Sequence, residues 1–421
     1  MIGRWLYSAA WYVAAPLIVL RLLWRARKQP EYLHHLGERI GLHRLKAPAR
    51  LMWVHAVSVG ETRAAQPLVR ALLDRYPQHS LLLTQMTPTG RATAHELFGA
   101  DPRVCIAYLP YDTPGSVRRF LRHFRPAFGV LMETEVWPNL LRGARREAVP
   151  MLLANARLSA RSARGYARLG GFARAVFGDL AACGAQTEAD AVRLRSMGAS
   201  PVTVTGNLKF EISPPAAQRS AGAAFRAAIG TRPVVVASNT RPGEEGPLLD
   251  AYARHASPDV LLILVPRHPQ RFDEIAQLVE QRGLSLARRS SGRMPDADTR
   301  VWLGDSMGEM FAYYASADVA IVGGSWAPLG GHNLIEACAV GVPALVGPHT
   351  FNFAQAAADA IDAGAAIRCA DLDAAVRVAV DLLKDAARRS AIGAAGQAFS
   401  EHHKGALAAT LGLIETLAPH Q

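Results

Sequence analysis

The stretch VAIVGGSWAPLGGHNLIEACAVGVPALVGP (residues 319–348) decides the fold class. It starts with a short apolar run, passes through a loop with four glycines, continues as a short helical segment and ends in a second apolar run. Continuous apolar strands separated by helices are typical of a parallel sheet that is covered on both faces. No Lys-Ser or Lys-Thr pair follows the glycines, so this is not a P-loop. The stretch instead predicts a strand-helix-strand unit whose glycines let the backbone approach a ligand closely.

The same alternation of apolar runs and helical segments recurs along the chain, with a break at NLKFEISPPAAQRSAG (residues 207–222). Fourteen apolar runs predict strands: 51–58, 80–86, 104–110, 127–134, 149–156, 180–187 and 202–206 before the break, and 233–240, 259–266, 285–290, 299–305, 319–325, 343–348 and 365–370 after it. Helical segments are predicted from Leu372 to about Leu417.

We therefore predict an α/β fold with two doubly wound, Rossmann-like domains that face each other across a cleft. The predicted boundaries are an anchor at 1–28, a first domain at 29–206, a linker at 207–225, and a second domain at 226–421 that includes the last helices. Ligands of such sheets bind beyond the carboxyl ends of the strands. This architecture suits a donor bound by one domain and an acceptor bound by the other.

The amino-acid composition limits the classes of protein to which the chain can belong. The chain has 421 residues, of which 50% are hydrophobic and 19% charged, so it is a packed globular protein rather than a disordered one. The net charge of +12 comes almost wholly from arginine and favours an anionic partner, although a general arginine bias of the surface is the alternative. The four cysteines have neither disulfide-framework nor metal-ligand spacing, which predicts free thiols in a reducing compartment and no structural zinc.

The first 28 residues differ from the rest. No charged residue occurs from Trp5 to Leu20, and Arg21, Arg25 and Arg27 follow. The segment predicts a membrane anchor, with the body of the protein in the cytoplasm by the positive-inside rule. Whether the anchor spans the bilayer or lies in its interface stays open.

Acidic residues follow two strands of the first predicted domain. Glu61 opens a helix after the run 51–58. A helix N-terminus lowers the pKa of a carboxyl, so an ordinary helix-start acid and a general base are both possible. Glu133 and Glu135 in METEVWPN (132–139) point the same way if the strand continues and separate if the chain turns; a solvated turn is the alternative. His55 is predicted to be a packed core residue.

One lysine stands out among the arginines. Between Lys46 and Lys384 the chain has a single lysine, Lys209, in GNLKF (206–210). A lysine ammonium is a compact point charge, unlike the planar guanidinium of arginine. We therefore expect Lys209 to serve where such a charge is needed.

The second predicted domain has three candidate ligand contacts. Arg267 and His268 leave a strand just before a helix and could seat a phosphate. Met307, Gly308 and Glu309 begin another helix, where backbone amides could meet a base or a carboxylate. Asn333 and Glu336 have the spacing of a capping box, and Glu336 could alternatively accept hydrogen bonds from ribose hydroxyls.

Several enzyme classes lack their motifs. The chain has no G-x-G-x-x-G opening the first domain and no G-x-x-x-x-G-K-[ST], G-x-S-x-G or H-E-x-x-H. A dehydrogenase, a P-loop kinase, an α/β-hydrolase and a zincin therefore lose their main support. No basic-aromatic module points to nucleic acid.

Eight ordered motifs together resemble those of the 3-deoxy-D-manno-octulosonic acid (Kdo) transferases of lipopolysaccharide synthesis. They are HAVSVGE, TPTG, METEVWPN, GNLKF, PRHPQRF, GDSMGE, GGHNLIEA and GPHTFNF, between residues 55 and 353. The resemblance implies a GT-B fold, CMP-Kdo as donor and a lipid A precursor (lipid IVA) as acceptor. It also implies location on the cytoplasmic face of the cell inner membrane. The arginine-rich surface and the anchor independently suit the anionic lipids of that membrane.

The resemblance also implies roles for individual residues. Glu61 would be the general base of an inverting transfer, and Glu133 and Lys209 would help to hold the transition state. No metal ion and no cofactor would take part. The CMP-Kdo site would comprise Arg267, His268, Met307, Gly308, Glu309, Asn333, Leu334, Ile335 and Glu336.

The chain departs from the family pattern in SNTRPGEE (238–245). Arg241 and Pro242 stand where a histidine and a polar residue are expected, which puts the donor contacts of this loop in doubt. Two other functions remain: a membrane-attached GT-B glycosyltransferase or an epimerase acting on a UDP-sugar, and a catalytically inactive nucleotide-binding protein.

Overall fold

The computed structural model describes residues 2–27, 29–211 and 214–417. The chain divides into two compact units, a first unit of Met1–Glu211 with Lys404–Gln421 and a second unit of Ile212–His403. Each unit contains one seven-stranded sheet. The prediction of two doubly wound α/β units is confirmed.

The sheet of the first unit has the order β3-β2-β1-β4-β5-β6-β7, with parallel neighbours throughout. Its strands are β1 (Leu51–His55), β2 (Ser80–Gln85), β3 (Val104–Tyr108), β4 (Phe128–Met132), β5 (Met151–Ala156), β6 (Ala182–Ala185) and β7 (Val202–Val204). Its helices before the second unit are α1 (Ile2–Ala26), α2 (Val59–Ala64), α3 (Gln66–Arg75), α4 (Pro88–Phe98), α5 (Pro114–Phe124), α6 (Pro138–Arg146), α7 (Ala160–Ala167), α8 (Gly171–Phe177) and α9 (Glu188–Ser196). A 3-10 turn at Leu208–Phe210 ends this part of the unit.

The sheet of the second unit has the order β10-β11-β9-β8-β12-β13-β14, again with parallel neighbours. Its strands are β8 (Val234–Thr240), β9 (Leu261–Pro266), β10 (Leu286–Arg288), β11 (Val301–Leu303), β12 (Val319–Val322), β13 (Ala344–Val346) and β14 (Ala366–Arg368). Its helices are α10 (Ala216–Ile229), α11 (Glu245–His255), α12 (Phe272–Glu280), α13 (Met310–Ser316), α14 (Ile335–Ala339), α15 (Ala354–Asp362), α16 (Leu372–Lys384) and α17 (Ala386–His402).

Apolar side chains on both faces of each central strand hold the sheets in place. Every residue of β1, β4, β5 and β6 is buried, and so is every residue of β9, β11, β12 and β13. Two hydrophobic clusters in the first unit include the side chains of alternate β1 residues, Trp53 in one and Met52 with Val54 in the other. This alternation is what a sheet covered by helices on both faces requires.

The strand order reverses direction at one point in each sheet. In the first unit the reversal lies between β1 and β4, and in the second between β8 and β12. Loops that follow the two strands at such a point diverge and leave a crevice, where open α/β sheets bind their ligands. The loops after β1, β4, β8 and β12 therefore define where a site is expected.

The last helix differs from the sequence prediction. Helix α18 (Ala406–Leu417) belongs to the first unit rather than the second. The Glu211 carboxylate accepts hydrogen bonds from the backbone N–H groups of Gly405 (2.6 Å) and Leu407 (3.0 Å), which satisfies orphan donors at the start of α18. The predicted linker also differs, because residues 216–225 already form part of α10.

Candidate active site

Glu61 lies in the first turn of α2, directly after β1 at the reversal point of the first sheet. Its Oε2 accepts a hydrogen bond from the Val57 N–H (2.9 Å), and its Oε1 accepts one from the Ser58 hydroxyl (3.1 Å). The loop thus holds the carboxylate in one orientation. The backbone donor and the hydroxyl donor together fix both carboxylate oxygens of Glu61 before any substrate arrives.

The pKa of Glu61 is raised to about 7. Burial is the largest cause because it disfavours the charged form; the hydrogen bond from Val57 opposes it, and the negative charges of Glu133 and Glu135 raise the pKa further. The expectation of a lowered pKa from the helix N-terminus is therefore wrong. A helix of six residues offers too little to outweigh burial beside two other acids.

Glu133 follows β4 on the other side of the reversal point. Its backbone adopts a left-handed φ of 59°, which is costly for a residue with a β-carbon. The Glu133 N–H still bonds the Ala154 carbonyl (2.9 Å), so the chain turns immediately after the strand ends. The side chain forms an ion pair with Lys209, with 2.8 Å between Oε1 and Nζ.

Glu135 takes a different partner from Glu133. Its Oε2 accepts a hydrogen bond from the indole N–H of Trp137 (2.8 Å), and burial raises its pKa. The two acids therefore separate, as expected if the chain turns. The chain turns here and Thr134 is exposed, but each carboxylate has a protein partner, Lys209 for Glu133 and Trp137 for Glu135.

Lys209 owes its position to two asparagines. The side-chain oxygen of Asn207 accepts a hydrogen bond from the backbone N–H of Lys209 (3.0 Å). The side-chain oxygen of Asn155 accepts one from the backbone N–H of Leu208 (3.0 Å). Asn155 is fully buried at the end of β5 and has a left-handed φ of 53°, which asparagine tolerates better than most residues. Asn155 was not predicted as a site residue, although a polar residue near the end of the apolar run MLLANA (151–156) was a visible signal.

A basic cluster lies beyond the sheet of the second unit. Arg267 and His268 directly follow β9, and the Arg241 guanidinium contacts His268 Nε2 at 2.5 Å. His332, in the loop after β12, has a pKa lowered to about 4 by burial first and then by the charges of Arg267 and Arg241. The pKa of His268 is lowered for the same reasons. Two guanidinium groups beside two neutral imidazoles form a site suited to an anion.

Glu244 joins the two loops at the reversal point of this sheet. Its carboxylate accepts hydrogen bonds from the backbone N–H groups of Arg241 (2.9 Å), Gly324 (2.8 Å) and Trp326 (3.2 Å). Gly324 has a φ of 72°, and a β-carbon there would lie 2.7 Å from the His332 ring. Buried Glu244 thus fixes the backbone that positions Arg241 against the glycine-rich loop.

Residues 34–212 match the family model described as 3-deoxy-D-manno-octulosonic-acid transferase, and residues 281–399 match the model of glycosyl transferases group 1. A 3-deoxy-D-manno-octulosonic acid transferase of Bordetella pertussis is 49% identical, over 98% of this chain and 99% of that protein. The chain belongs to the Kdo transferase family. It is therefore a glycosyltransferase that transfers Kdo, as the resemblance implied.

Two further comparisons agree with this assignment. The 3-deoxy-D-manno-octulosonic acid transferase of Haemophilus influenzae is 34% identical, over 98% of this chain and 98% of that protein. The crystal structure of a glycosyltransferase from Rickettsia africae matches the fold with a TM-score of 0.54 at 10% identity, covering 89% of this chain and 100% of that one. At that identity the likeness concerns the fold alone, and it agrees with the predicted GT-B class.

The other predicted donor residues of this Kdo transferase have different local roles. The Glu309 carboxylate pairs with Arg289 (2.9 Å) and accepts a hydrogen bond from Ser306 (2.5 Å). Burial raises its pKa, but these two contacts outweigh burial and the net pKa is lowered. Met307 is exposed, and Gly308 has a φ of 80° with open space where a β-carbon would be.

The Asn333–Glu336 segment of the Kdo transferase supports the capping interpretation in part. The Asn333 side-chain oxygen accepts a hydrogen bond from the Ile335 N–H (3.1 Å) at the start of α14. The side chains of Leu334 and Ile335 are fully buried, so only their backbone can contact a ligand. Glu336 is half-buried on the same short helix.

The described part of the Kdo transferase contains no group of three or more His, Cys, Asp or Glu residues placed to hold a metal ion. Its four cysteines are free thiols, as predicted. His55 is fully buried, with Nδ1 2.9 Å from the Thr84 hydroxyl, and the prediction of a core histidine is confirmed. Arg241, Glu244, Asn155 and His332 were not among the predicted site residues.

Proposed function

We propose that this Kdo transferase moves Kdo from CMP-Kdo to a hydroxyl of a lipid A precursor (lipid IVA) with inversion, and that Glu61 is the general base. The observation that carries the proposal is the Glu61 carboxyl, whose pKa is about 7. A base with a pKa near the working pH combines a populated charged form with a useful proton affinity. It also lies where the sheet order reverses, the expected position of a ligand.

In this mechanism the Glu61 carboxylate accepts the proton of the acceptor hydroxyl. The hydroxyl oxygen forms a bond to the anomeric carbon of Kdo while the bond from that carbon to the CMP phosphate breaks. The hydroxyl attacks the face of the anomeric carbon opposite the departing phosphate, so the configuration at that carbon is inverted. Lys209 is held in position by its ion pair with Glu133, and its positive charge would stabilise the Kdo carboxylate or the departing phosphate.

The basic cluster of the second unit supports the donor assignment. A CMP phosphate and a sugar carboxylate are both anions, and Arg241 with Arg267 provides two permanent positive charges. We propose that these guanidinium groups, aided by backbone N–H groups of the adjacent loops, take up the leaving-group charge without a metal ion. Arg241 would then add a donor contact in place of the expected histidine.

We further propose that the enzyme works on the cytoplasmic face of the inner membrane. The described residues include one helix, α1, that is long and apolar enough to cross a membrane, with a mean hydropathy of 1.6. Exposed Arg21 and Arg27 near its end suit anionic lipid headgroups. Four free thiols suit a reducing compartment.

The direct test is a mass spectrum of lipid IVA after incubation with the detergent-purified enzyme and freshly prepared CMP-Kdo. We expect the lipid mass to increase by whole Kdo units, and the number of units gives the number of transfers. A parallel reaction with UDP-sugars is the control for donor identity. A mass increase only with a UDP-sugar, from folded enzyme and intact CMP-Kdo, would contradict the proposal in favour of the alternative GT-B enzyme.

The rate should depend on pH with a midpoint near 7. Glu61 acts as a base only when it is deprotonated, and its pKa is raised from 4.5 to about 7. The rate at saturating substrate should therefore rise from about pH 6 to about pH 8 and then level off. Donor integrity must be checked at each pH. A rate that is flat across this range would mean that the base has an ordinary carboxyl pKa and is not Glu61.

A further inference from the structure

Helix α1 is attached to the first unit along one side. Near its start, Arg4 forms an ion pair with Asp179, whose side chain is buried. One turn later, the Ser8 hydroxyl donates a hydrogen bond to the Asn139 side chain (3.1 Å). These polar contacts join α1 to helix α6 and to the loop after α8.

The same side of α1 also makes aromatic contacts with the first unit. The Trp11 ring lies 5.8 Å from the ring of Tyr111 and 6.3 Å from that of Trp137, measured between centroids. The Tyr7 ring lies 6.2 Å from Phe172. Residues 4, 7, 8 and 11 have the spacing of one helix face, so this face of α1 packs against the protein body.

At its other end α1 packs against the 3-10 turn that follows it, Pro30–Leu33. Arg25 Nη1 lies 3.4 Å from the Tyr32 hydroxyl, and Ala26 is buried. Ala14, Ile18 and Leu22, between the two ends, are each half-buried. Partial burial of this side of the helix thus extends from residue 4 to residue 26, about 33 Å along the helix axis.

The opposite face of α1 is exposed and apolar. Its large exposed side chains are Trp5, Leu6, Tyr12, Val13, Leu17, Val19, Leu20, Leu23 and Trp24. No charge interrupts this face between Trp5 and Leu20, and Arg21 and Arg27 follow it. An uncharged face bordered by aromatic and basic residues is typical of a helix at a lipid surface.

These two faces exclude a simple bilayer crossing. A spanning helix passes through about 30 Å of hydrocarbon and is surrounded there by lipid or by other apolar helices. Here the N-terminal part of α1, residues 4–11, is packed against a body that carries the Arg4–Asp179 pair, although in a crossing helix this part would lie across the bilayer from that body. Crossing would require either breaking the contacts of Arg4, Ser8 and Trp11 with the body or taking polar protein surface into the hydrocarbon.

We propose that α1 does not cross the membrane but lies in the interface of an anionic phospholipid bilayer, with its inner face on the first unit and its outer face in the acyl boundary. The inference rests on the membrane attachment proposed above and not on the proposed chemistry. The depth of an interfacial helix is about 5–10 Å. The first unit then stays beside the bilayer surface along the full length of the helix.

The first unit also has a basic pocket that we infer to be a second lipid contact. It is an open pocket of about 650 Å³ whose lining includes Leu42, Arg44, Arg118 and Arg122. Leu36 and Leu45 add exposed apolar side chains in the segment that leads through it. Guanidinium groups beside exposed leucines match a surface with phosphate headgroups above acyl chains.

Depth measurements by spin labels distinguish the two arrangements. Single cysteines replace Trp5, Val13 and Leu20 in full-length protein that carries Cys105→Ala, because the other three cysteines are buried. Ala223→Cys on α10 is the water-exposed control. In vesicles of phosphatidylethanolamine and phosphatidylglycerol, power saturation should give the same depth, within about 5–10 Å of the phosphates, at all three α1 positions.

A spanning helix gives a different pattern. Val13 would then lie near the bilayer centre, about 15 Å deep, with Trp5 and Leu20 on opposite sides of it. That result would overturn the proposal. A second copy of the chain covering the exposed face would instead give spin–spin broadening and low lipid exposure, which would also overturn it. None of these measurements requires Kdo transfer, so they remain valid if the proposed donor or base is wrong.

The basic pocket has its own test in the same vesicles. Arg44→Gln combined with Arg118→Gln should weaken binding to anionic vesicles about 10- to 30-fold and leave binding to neutral vesicles unchanged. The matched control removes two exposed arginines of the second unit, Arg293→Gln with Arg388→Gln. Equal binding of both double variants to anionic vesicles would exclude the pocket from the lipid contact.

Discussion

Replacing Glu61 with Gln should lower kcat for Kdo transfer by about 10²–10⁴-fold, the usual contribution of a general base. Gln has nearly the same shape and can keep the contact with Val57 or Ser58, but it cannot accept the proton of the acceptor hydroxyl. Binding of CMP-Kdo, measured by calorimetry, should change little, because the basic cluster lies in the second unit. The rising limb of the pH profile should also disappear.

Stability provides the control for this variant. The pKa of Glu61 is raised from 4.5 to about 7 by folding, so the native state binds the proton more tightly than the unfolded state. The favourable contribution of the protonated carboxyl is fully present below about pH 4.5 and is lost as pH rises through about 7. Above that pH the charged side chain is a net cost, and Glu61→Gln removes it.

We therefore expect the Glu61→Gln protein to melt at the same temperature as the wild type or higher at pH 8. Less activity with greater stability is the combination expected when a functional group is held in an unfavourable environment. A variant that loses activity because it misfolds would melt earlier instead. Unchanged turnover in a well-folded Glu61→Gln protein would remove Glu61 from the role of base.

The strands could be predicted from the sequence because each is marked by a local run of apolar residues. Each of the fourteen apolar runs contains a strand. The central strands are buried on both faces and need a continuous apolar segment, whereas β7, β10 and β14 at the sheet edges are partly exposed. The positions at which the strands end were predicted less accurately. The run 51–58, for example, leaves the sheet after His55, where the chain turns toward Glu61.

Features that depend on distant residues could not be predicted in this way. The pKa of Glu61 depends on burial and on charges more than 70 residues away in sequence. Asn155 positions the turn before Lys209 across 53 residues, as the hydrogen bond to Leu208 shows. Helix α18 joins the first unit through Glu211, after a whole second unit has intervened. No periodicity in the sequence records these contacts.

Arg241 illustrates the same limit for a single side chain. As a sequence difference it put the donor loop in doubt. In the structure its guanidinium contacts His268 and its charge lowers the pKa of His332. Its backbone is fixed by the buried carboxylate of Glu244. Arg241 therefore has a fixed backbone position and contributes a positive charge to the cluster.

Replacing Lys209 with Met should lower kcat by about 10²–10³-fold, the range observed when one preorganised stabilising group is removed from an active site. Met keeps the length of the side chain but removes the charge that faces Glu133 at 2.8 Å. Lys209→Arg should recover only part of the rate, because a planar guanidinium does not replace a compact ammonium. Rates are measured with CMP-Kdo and lipid IVA at saturation.

A shift of the pH profile separates this role from a purely structural one. The negative charge of Glu133 already raises the pKa of Glu61, and Lys209 partly neutralises that charge. The residual activity of Lys209→Met should therefore have its midpoint above about 7. Adding Glu133→Gln removes the uncompensated charge, so the double variant should return the midpoint toward or below 7 without restoring the rate. If the midpoint does not move in Lys209→Met, the pair and Glu61 are not electrostatically coupled, and the proposed active site of the first unit is incorrect.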